Sequence, residues 1–274
     1  MLYWQFQKAI GKNEVEFVGM FDIKYNLDLS SSLDSLVKRE TVIDDWDALK
    51  CLVGKLDENS YILDIGANVG FVTLLLKKKI CPSSTIVAFE PDKENYQKLV
   101  GNIALNDLDS IIPLPFAVQE SDLHSASFNI RRAIDGDGCK NYGLSSIEKI
   151  NLFTKKKTLV SLVTVDEIVK KFSVQKLSFI KIDVEGAEWR VLSGGEETIK
   201  KFKPVIYYEY SETLDALTEF NNTQKCFEFF KRNGYRQFYF ESDGFVELRS
   251  SKERIGDKNI LCLPDNNVFI SYKK

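Results

Sequence analysis

The chain has no Cys-x-x-Cys pair. Its five cysteines, at 51, 81, 139, 226 and 262, are scattered and odd in number. That distribution argues against a disulfide framework and against a zinc site. Reduced thiols in a cytoplasmic protein are the simplest expectation. Long apolar runs are missing too. No window approaches the ~20 consecutive apolar residues of a membrane helix, so no membrane span is expected. The opening MLYWQFQKAIGKNEVEF has no signal-peptide shape. A basic excess is also lacking, since the formal net charge is −3. A nucleic-acid partner would call for a basic stripe, so none is expected. The short runs Lys77–Lys79 and Lys155–Lys157 read as solvated surface. Histidine occurs once, at His124. There are no internal repeats and no low-complexity linker, which argues for one domain with elaborations.

What is present is an ordinary globular balance, with 44% hydrophobic and 28% charged residues over 274 positions. Residues 1–57 read as an N-terminal extension. VEFVGMFDIKYNLDL suits a hairpin, and DDWDALKCLVGKL carries apolar residues at helical spacing, with Asp44 or Asp45 as N-cap. Residues 58–274 then alternate strand and helix. YILDI, TIVAFE, IIPLPFAVQE, LSFIKID and PVIYYEY read as strands, the third broken by its prolines. FVTLLLKKKI, DKENYQKLVGNIALN, EWRVLSGGEETIKKF and TQKCFEFFKRNGY read as helices. RQFYFES and NILCLP are late strands that suit an antiparallel edge hairpin. The alternation predicts an α/β fold, a mostly parallel sheet with helices on both faces. Residues 119–163 are irregular and read as a loop insertion, with the capping box Thr164 and Glu167 opening a helix at its end. Asp166 then reads as an acidic first-turn residue rather than a catalytic one.

YILDIGANVG ends a buried strand in two glycines preceded by an acid, Asp64. In a doubly wound sheet, ligands sit beyond the carboxyl ends of the strands. Gly66 and Gly70 are expected to let the backbone approach a ligand closely. Their Gly-x-x-x-Gly spacing is not the Gly-x-Gly-x-x-Gly of dinucleotide binders. Asp64 and Glu90, each at a strand end, would repel a pyrophosphate. Glu90 is placed to accept bonds from ribose hydroxyls, and Asp64 to meet an ammonium. A cationic ligand with a ribose fits, and S-adenosylmethionine has both.

LDIGANVGFVTLLL, VAFEPDKENYQKLVGNIALN, TVDEIV and FIKIDVEGAEWRVLSGG occur in that order. Together they resemble the FkbM family of S-adenosylmethionine-dependent methyltransferases. The resemblance covers residues 60 to 210, and NILCLPDN is similar to the family's closing strand. It implies a Rossmann-like class I methyltransferase fold, a seven-stranded sheet whose last strand is antiparallel. It also implies O-methylation of a sugar, glycan or small natural product. By the same resemblance Asp64, Gly66, Ala67, Asn68 and Gly70 would hold the methionine part of the cofactor and Glu90 the ribose. Pro91 and Asp92 would border the adenine, with a backbone contact from Ala117.

A second acidic cluster follows in KIDVEGAE. Strand alternation puts Lys181 and Asp183 on one side. Asp183 at the strand's carboxyl end reads as functional. Glu188 reads as a helix-terminal residue stabilised by the dipole, and Lys181 as a buried partner of a carboxylate. A hydroxyl nucleophile needs a base for its proton. The candidates are Asp183, Glu185, Glu209 and His124. Neighbouring carboxylates raise one another's pKa, which suits a base near neutral pH. They could also bind a divalent cation. A metal is possible but not expected, because no Asp–Asn pair stands beside Glu209. Tyr207, Tyr208 and Tyr210 read as strand packing, with Tyr210 a candidate for the substrate side, and Tyr142 could stack on a sugar. An NAD-dependent oxidoreductase is disfavoured by the missing third glycine. A methyltransferase-like binding module without chemistry, and methylation of a nitrogen, are the alternative readings.

Overall fold

The computed structural model describes residues 14–28, 43–120, 125–130, 133–134, 140–141, 156–218, 221–242 and 244–273. The hairpin forms from β1 (Glu14–Val18) and β2 (Lys24–Asp28), paired antiparallel. The helix Ile43–Leu49 follows. Asp44 and Asp45 lie within this helix rather than ahead of it. Six strands come next: β3 (Tyr61–Ile65), β4 (Thr85–Phe89), β5 (Ile111–Leu114), β6 (Phe116–Val118), β7 (Ser125–Ile130) and β8 (Ala133–Ile134). The remaining strands are β9 (Lys140–Asn141), β10 (Lys156–Val163), β11 (Leu177–Ile182), β12 (Val205–Tyr210), β13 (Tyr235–Glu241), β14 (Gly244–Leu248), β15 (Lys258–Pro264) and β16 (Tyr272–Lys273).

The main sheet has the order β16-β14-β13-β15-β12-β11-β3-β4-β5. From β12 to β5 every pairing is parallel, whereas β15 runs antiparallel to both β12 and β13. The expected count was seven. The sheet has nine strands because β14 and β16 extend the edge beyond β13. The proline-broken third strand splits at Pro115: β5 joins the main sheet and β6 joins β10 and β7 in a smaller one. The predicted helix at EWRVLSGGEETIKKF is two helices, Glu188–Ser193 and Glu196–Phe202, parted at Gly194 and Gly195.

The central strands are apolar runs because both faces are covered. Alternate residues serve different cores. Ile62, Ile86, Phe179 and Tyr207 face one core, shared with the hairpin residues Ile23 and Tyr25 and with Leu49, Leu74 and Leu99. Leu63, Val87, Ile180 and Tyr208 face the other, packed by Ile168, Val191, Phe229 and Phe230. The N-terminal hairpin thus closes one face of the sheet. Asn26 N donates to Asn102 Oδ1 at 2.8 Å, which ties the hairpin to the helix Lys93–Leu105. Among the described residues no helix is long and apolar enough to cross a membrane.

The chain leaves β3 towards β4 and β5, then returns to lay β11 and β12 on the opposite side. Strand order therefore reverses between β3 and β11. A crevice opens at such a reversal, beyond the carboxyl ends of the strands. The glycine turn after β3 and the acidic turn after β11 both lie there.

Candidate active site

Register brings the acids together. Lys181 stands opposite Asp64 on one side and Tyr207 on the other. Asp64, Lys181, Asp183 and Glu209 therefore project from one face of three adjacent strands. Lys181 Nζ donates to Asp183 Oδ2 at 2.9 Å and to Gly66 O at 3.3 Å, and lies 4.0 Å from Asp64 Oδ1. This buried ammonium links the glycine turn to the acidic cluster. Asp64 is fully buried, and its Oδ2 accepts from Thr73 on the helix that follows the turn.

The turn itself is held by Phe89, whose carbonyl accepts from the amides of Gly66 at 3.0 Å and Ala67 at 2.8 Å. Gly66 has φ +82 and Gly70 φ +96. A Cβ on Gly66 would overlap the carbonyl oxygen of Asp183 and lie 2.8 Å from its carbon. A Cβ on Gly70 would meet Leu99 Cδ1 at 2.8 Å. The protein's own packing also requires glycine at both positions. Gly66 is required because two backbone turns cross there, and Gly70 sits against a core leucine.

Glu90 is oriented by two amides: Asn68 N donates to Oε2 at 2.9 Å and Asp92 N to Oε1 at 2.8 Å. Asp92 caps the helix Lys93–Leu105, its Oδ1 accepting from Glu94 N and Asn95 N. Asp64 Oδ1, Asn68 Oδ1, Gln119 Oε1 and Glu209 Oε2 are sealed from solvent and have no hydrogen-bond partner among the described residues. Native interiors hold few such orphan acceptors.

On the opposite wall, Glu185 has φ +57 and Gly186 φ +95, which turns the chain sharply after β11. Glu188 pins that turn from below. Its Oε1 accepts from Val184 N at 3.1 Å and Gly186 N at 3.2 Å, and its Oε2 from Asn222 Nδ2 at 2.6 Å. Oxygens of Asp183, Glu185 and Glu209 lie within 4.8 Å of one another.

The sequence profile of the methyltransferase FkbM domain matches residues 64–237, which contain both turns and every group just described. This chain belongs to the FkbM methyltransferase family. It is 29% identical over 170 residues to methyltransferase sdnD of Sordaria araneosa, covering 53% of this chain and 64% of that protein. It is 25% identical over 160 residues to hexuronic acid methyltransferase AglP of Haloferax volcanii, covering 58% of this chain and 60% of that one. The matched region thus spans less than two thirds of each curated relative. Among solved structures, the METTL16 methyltransferase domain superposes with a TM-score of 0.50 at 12% identity, over 89% of this chain and 74% of that domain. That likeness is one of fold, the class I Rossmann-like arrangement.

Most residues singled out in this FkbM-family sequence converge on the crevice: Asp64, Gly66, Ala67, Asn68, Gly70 and Glu90 on one wall, Asp183, Glu185 and Glu209 on the other. Pro91 and Asp92 follow Glu90 directly. Ala117 lies in β6 of the smaller sheet, opposite Leu162. His124 and Tyr142 lie outside the described residues. Tyr210 is corrected: it is buried in the core on the other face and does not stand beside Glu209. The capping box at Thr164 and Glu167 is present, and Asp166 Oδ1 accepts from Thr198 N at 2.9 Å. The bracing of Glu188 by Asn222 had no sequence signal, because the two are brought together only by helix packing.

That bracing yields a test. Glu188→Gln would set its amide against the Asn222 amide, donor against donor, at a cost of about 1–3 kcal/mol. Adding Asn222→Asp restores a donor–acceptor pair and keeps the acceptor for Trp189 N. The double variant is expected to recover most of the loss in urea denaturation. Equal stability of both variants would contradict the pairing.

Titration follows from burial. Burial, the largest influence, pushes Glu90 up from 4.5 to about 8 against the pull of its two amides. It pushes Glu188 up to about 7. Glu209 is held well above the ordinary carboxylate range by burial and then by the charges of Asp183, Glu185 and Glu188. Each folded value exceeds the unfolded one, so the folded chain keeps protons that the unfolded chain has released. The contribution of these groups is fullest below about pH 4.5 and declines as pH rises to about 8. Thermal midpoints measured from about pH 5 to 8 are expected to fall with pH, with a shallower slope in Glu90→Gln. A rise across that window would contradict the burial of these acids.

Proposed function

We propose that this chain is an S-adenosylmethionine-dependent methyltransferase acting on a hydroxyl of a sugar, glycan or small natural product. The backbone crossing of Gly66 over Asp183 carries this reading, because it sets a cofactor turn directly against an acidic cluster. The orphan oxygens of Asp64 and Asn68 suit the ammonium of a methionine tail. Both Glu90 oxygens already accept an amide, and each retains a lone pair for a ribose hydroxyl. Pro91, the Asp92 backbone and Ala117 fall at the adenine end.

The bound cofactor supplies an electrophilic methyl on a sulfonium. An acceptor oxygen aligned with that carbon would take the methyl as the carbon–sulfur bond breaks, and a neutral thioether would leave. The hydroxyl proton must go to a base. Asp183, Glu185 and Glu209 are the candidates to take it, and burial makes Glu209 a stronger base than an ordinary carboxylate. A hydroxyl acceptor explains a cluster of bases better than a nitrogen with a free lone pair does. His124 is a further candidate for this role. One relative is named a hexuronic acid methyltransferase, and a hydroxylated sugar is an acceptor of that kind.

Glu90→Ala tests the cofactor half. It should weaken S-adenosylhomocysteine binding by roughly 10- to 100-fold, the scale of a charged hydrogen-bond pair. An unchanged dissociation constant in calorimetry would contradict the ribose role.

A further inference from the structure

The contacts that dock the N-terminal hairpin also reach the glycine turn. In a paired strand, alternate residues point their backbone groups to the same edge. On the outer edge of β2, Lys24 N donates to Asn106 Oδ1 at 2.8 Å, and Asn26 N to Asn102 Oδ1 at 2.8 Å. Asn106 Nδ2 returns a bond to Lys24 O at 2.7 Å. The two asparagines stand four residues apart at the end of the helix Lys93–Leu105. Four helical residues rise about 6 Å, and two strand residues rise about 6.6–6.8 Å, so the spacings match. Side-chain amides on the helix thus serve the edge of β2 as a neighbouring strand would.

Asn102 has a second bond. Its Nδ2 donates to Val69 O at 2.9 Å. The Asn26 N–H needs the side-chain oxygen and the Val69 carbonyl needs the nitrogen, so the two bonds fix one orientation of the amide. Val69 lies between Asn68 and Gly70, whose φ of +51 and +96 give the turn its shape. Asn68 N is the amide that orients Glu90 Oε2. One residue past Gly70, Phe71 meets the ring of Tyr25, a β2 residue, edge to face with centroids 5.0 Å apart. The hairpin therefore holds the chain on both sides of Gly70, through Asn102 at Val69 and through Tyr25 at Phe71. Asn102 is buried, so losing its amide strips the Asn26 N–H and the Val69 carbonyl of these bonds away from solvent.

We infer that Asn102 is a positioning residue for the cofactor, and that through it the N-terminal hairpin sets the shape of the cofactor turn. The inference rests on the methyltransferase reading for the identity of the ligand. It makes the hairpin part of the binding machinery, although no hairpin residue is assigned a contact with the cofactor. Linkage then runs both ways. A hairpin that favours the binding-competent turn is itself held in place by bound ligand, by the same factor.

The test uses the full chain with S-adenosylhomocysteine as the probe. Calorimetry reads affinity, and amide hydrogen exchange reads docking of the hairpin. In the parent, saturating ligand should slow exchange across Glu14–Val18 and Lys24–Asp28 by at least about fivefold. Asn102→Ala should weaken binding by at least about fivefold and abolish that ligand-dependent protection. A residue that only stabilised the fold would lower the thermal midpoint and leave the ligand-dependent protection intact. Asn106→Ala is the second variant, because it frees β2 at Lys24 and leaves the bonds of Asn102 to Asn26 and Val69 in place. It should speed hairpin exchange in the free chain, and bound ligand should restore the protection. If Asn102→Ala does not fold, the parent and Asn106→Ala decide the matter. Parental affinity in Asn102→Ala, hairpin exchange in the parent that ligand leaves unchanged, or unrestored protection in Asn106→Ala would overturn the inference. A parent that binds ligand without protecting the hairpin sinks this inference alone. A parent that binds no ligand sinks the methyltransferase reading with it.

Discussion

Gly66→Ala is expected to destabilise the protein by about 4 kcal/mol or more and to remove cofactor binding with it. Two costs add. Alanine at φ +82 is in a left-handed conformation that costs an L-residue roughly 1–2 kcal/mol. The new methyl also overlaps the Asp183 carbonyl oxygen and sits 2.8 Å from its carbon. Neither atom can retreat cheaply. Asp183 N donates to Ile65 O at 2.9 Å, and Gly66 N to Phe89 O at 3.0 Å, so relief means parting β11 from β3. Gly70→Ala is the control. It has a similar φ, but its methyl meets only the end of the Leu99 side chain. A smaller cost, roughly 1–3 kcal/mol, is expected there. Urea denaturation of both variants decides the point. A Gly66→Ala protein within about 1 kcal/mol of the parent would show that the two turns do not cross as described.

Asp183→Asn should reduce turnover by about 10²- to 10⁴-fold while leaving S-adenosylhomocysteine affinity nearly unchanged. Asparagine keeps the size of the side chain and can still accept from Lys181 Nζ, which lies 2.9 Å from Asp183 Oδ2. It cannot take a proton. The loss should therefore fall on kcat rather than on cofactor binding. Release of S-adenosylhomocysteine over a panel of hydroxylated acceptors measures it. Equal turnover would exclude Asp183 from the chemistry.

The strands were legible because the buried sheet makes unusually clean apolar runs, and YILDI, LSFIKI and VIYYEY all fall where the pattern put them. The helix Lys93–Leu105 was legible through its Asp92 cap. The edge was not, because β16 is two residues long, β14 mixes polar and apolar residues, and both gain their place only by pairing with β13 and with each other. The site was legible as two acidic turns, since each ends a strand. The meaning of Gly66 was not. Its neighbour is Asp183, far along the chain, and only the parallel pairing of β3 with β11 brings the two together. Tyr210 was misplaced because a residue beside Glu209 in sequence points to the opposite face of the strand. Glu188 was readable as a helix-terminal acid, whereas its second partner, Asn222, belongs to another helix.

The central claim is that a cofactor turn, read by Glu90, abuts a separate acidic cluster that does the chemistry. Calorimetric titration of S-adenosylhomocysteine into the parent, Glu90→Ala and Asp183→Asn tests it most directly. The account predicts one site per chain in the parent, roughly 10- to 100-fold weaker binding in Glu90→Ala, and near-parental binding in Asp183→Asn. No binding by the parent, or equal binding by the parent and Glu90→Ala, would contradict it.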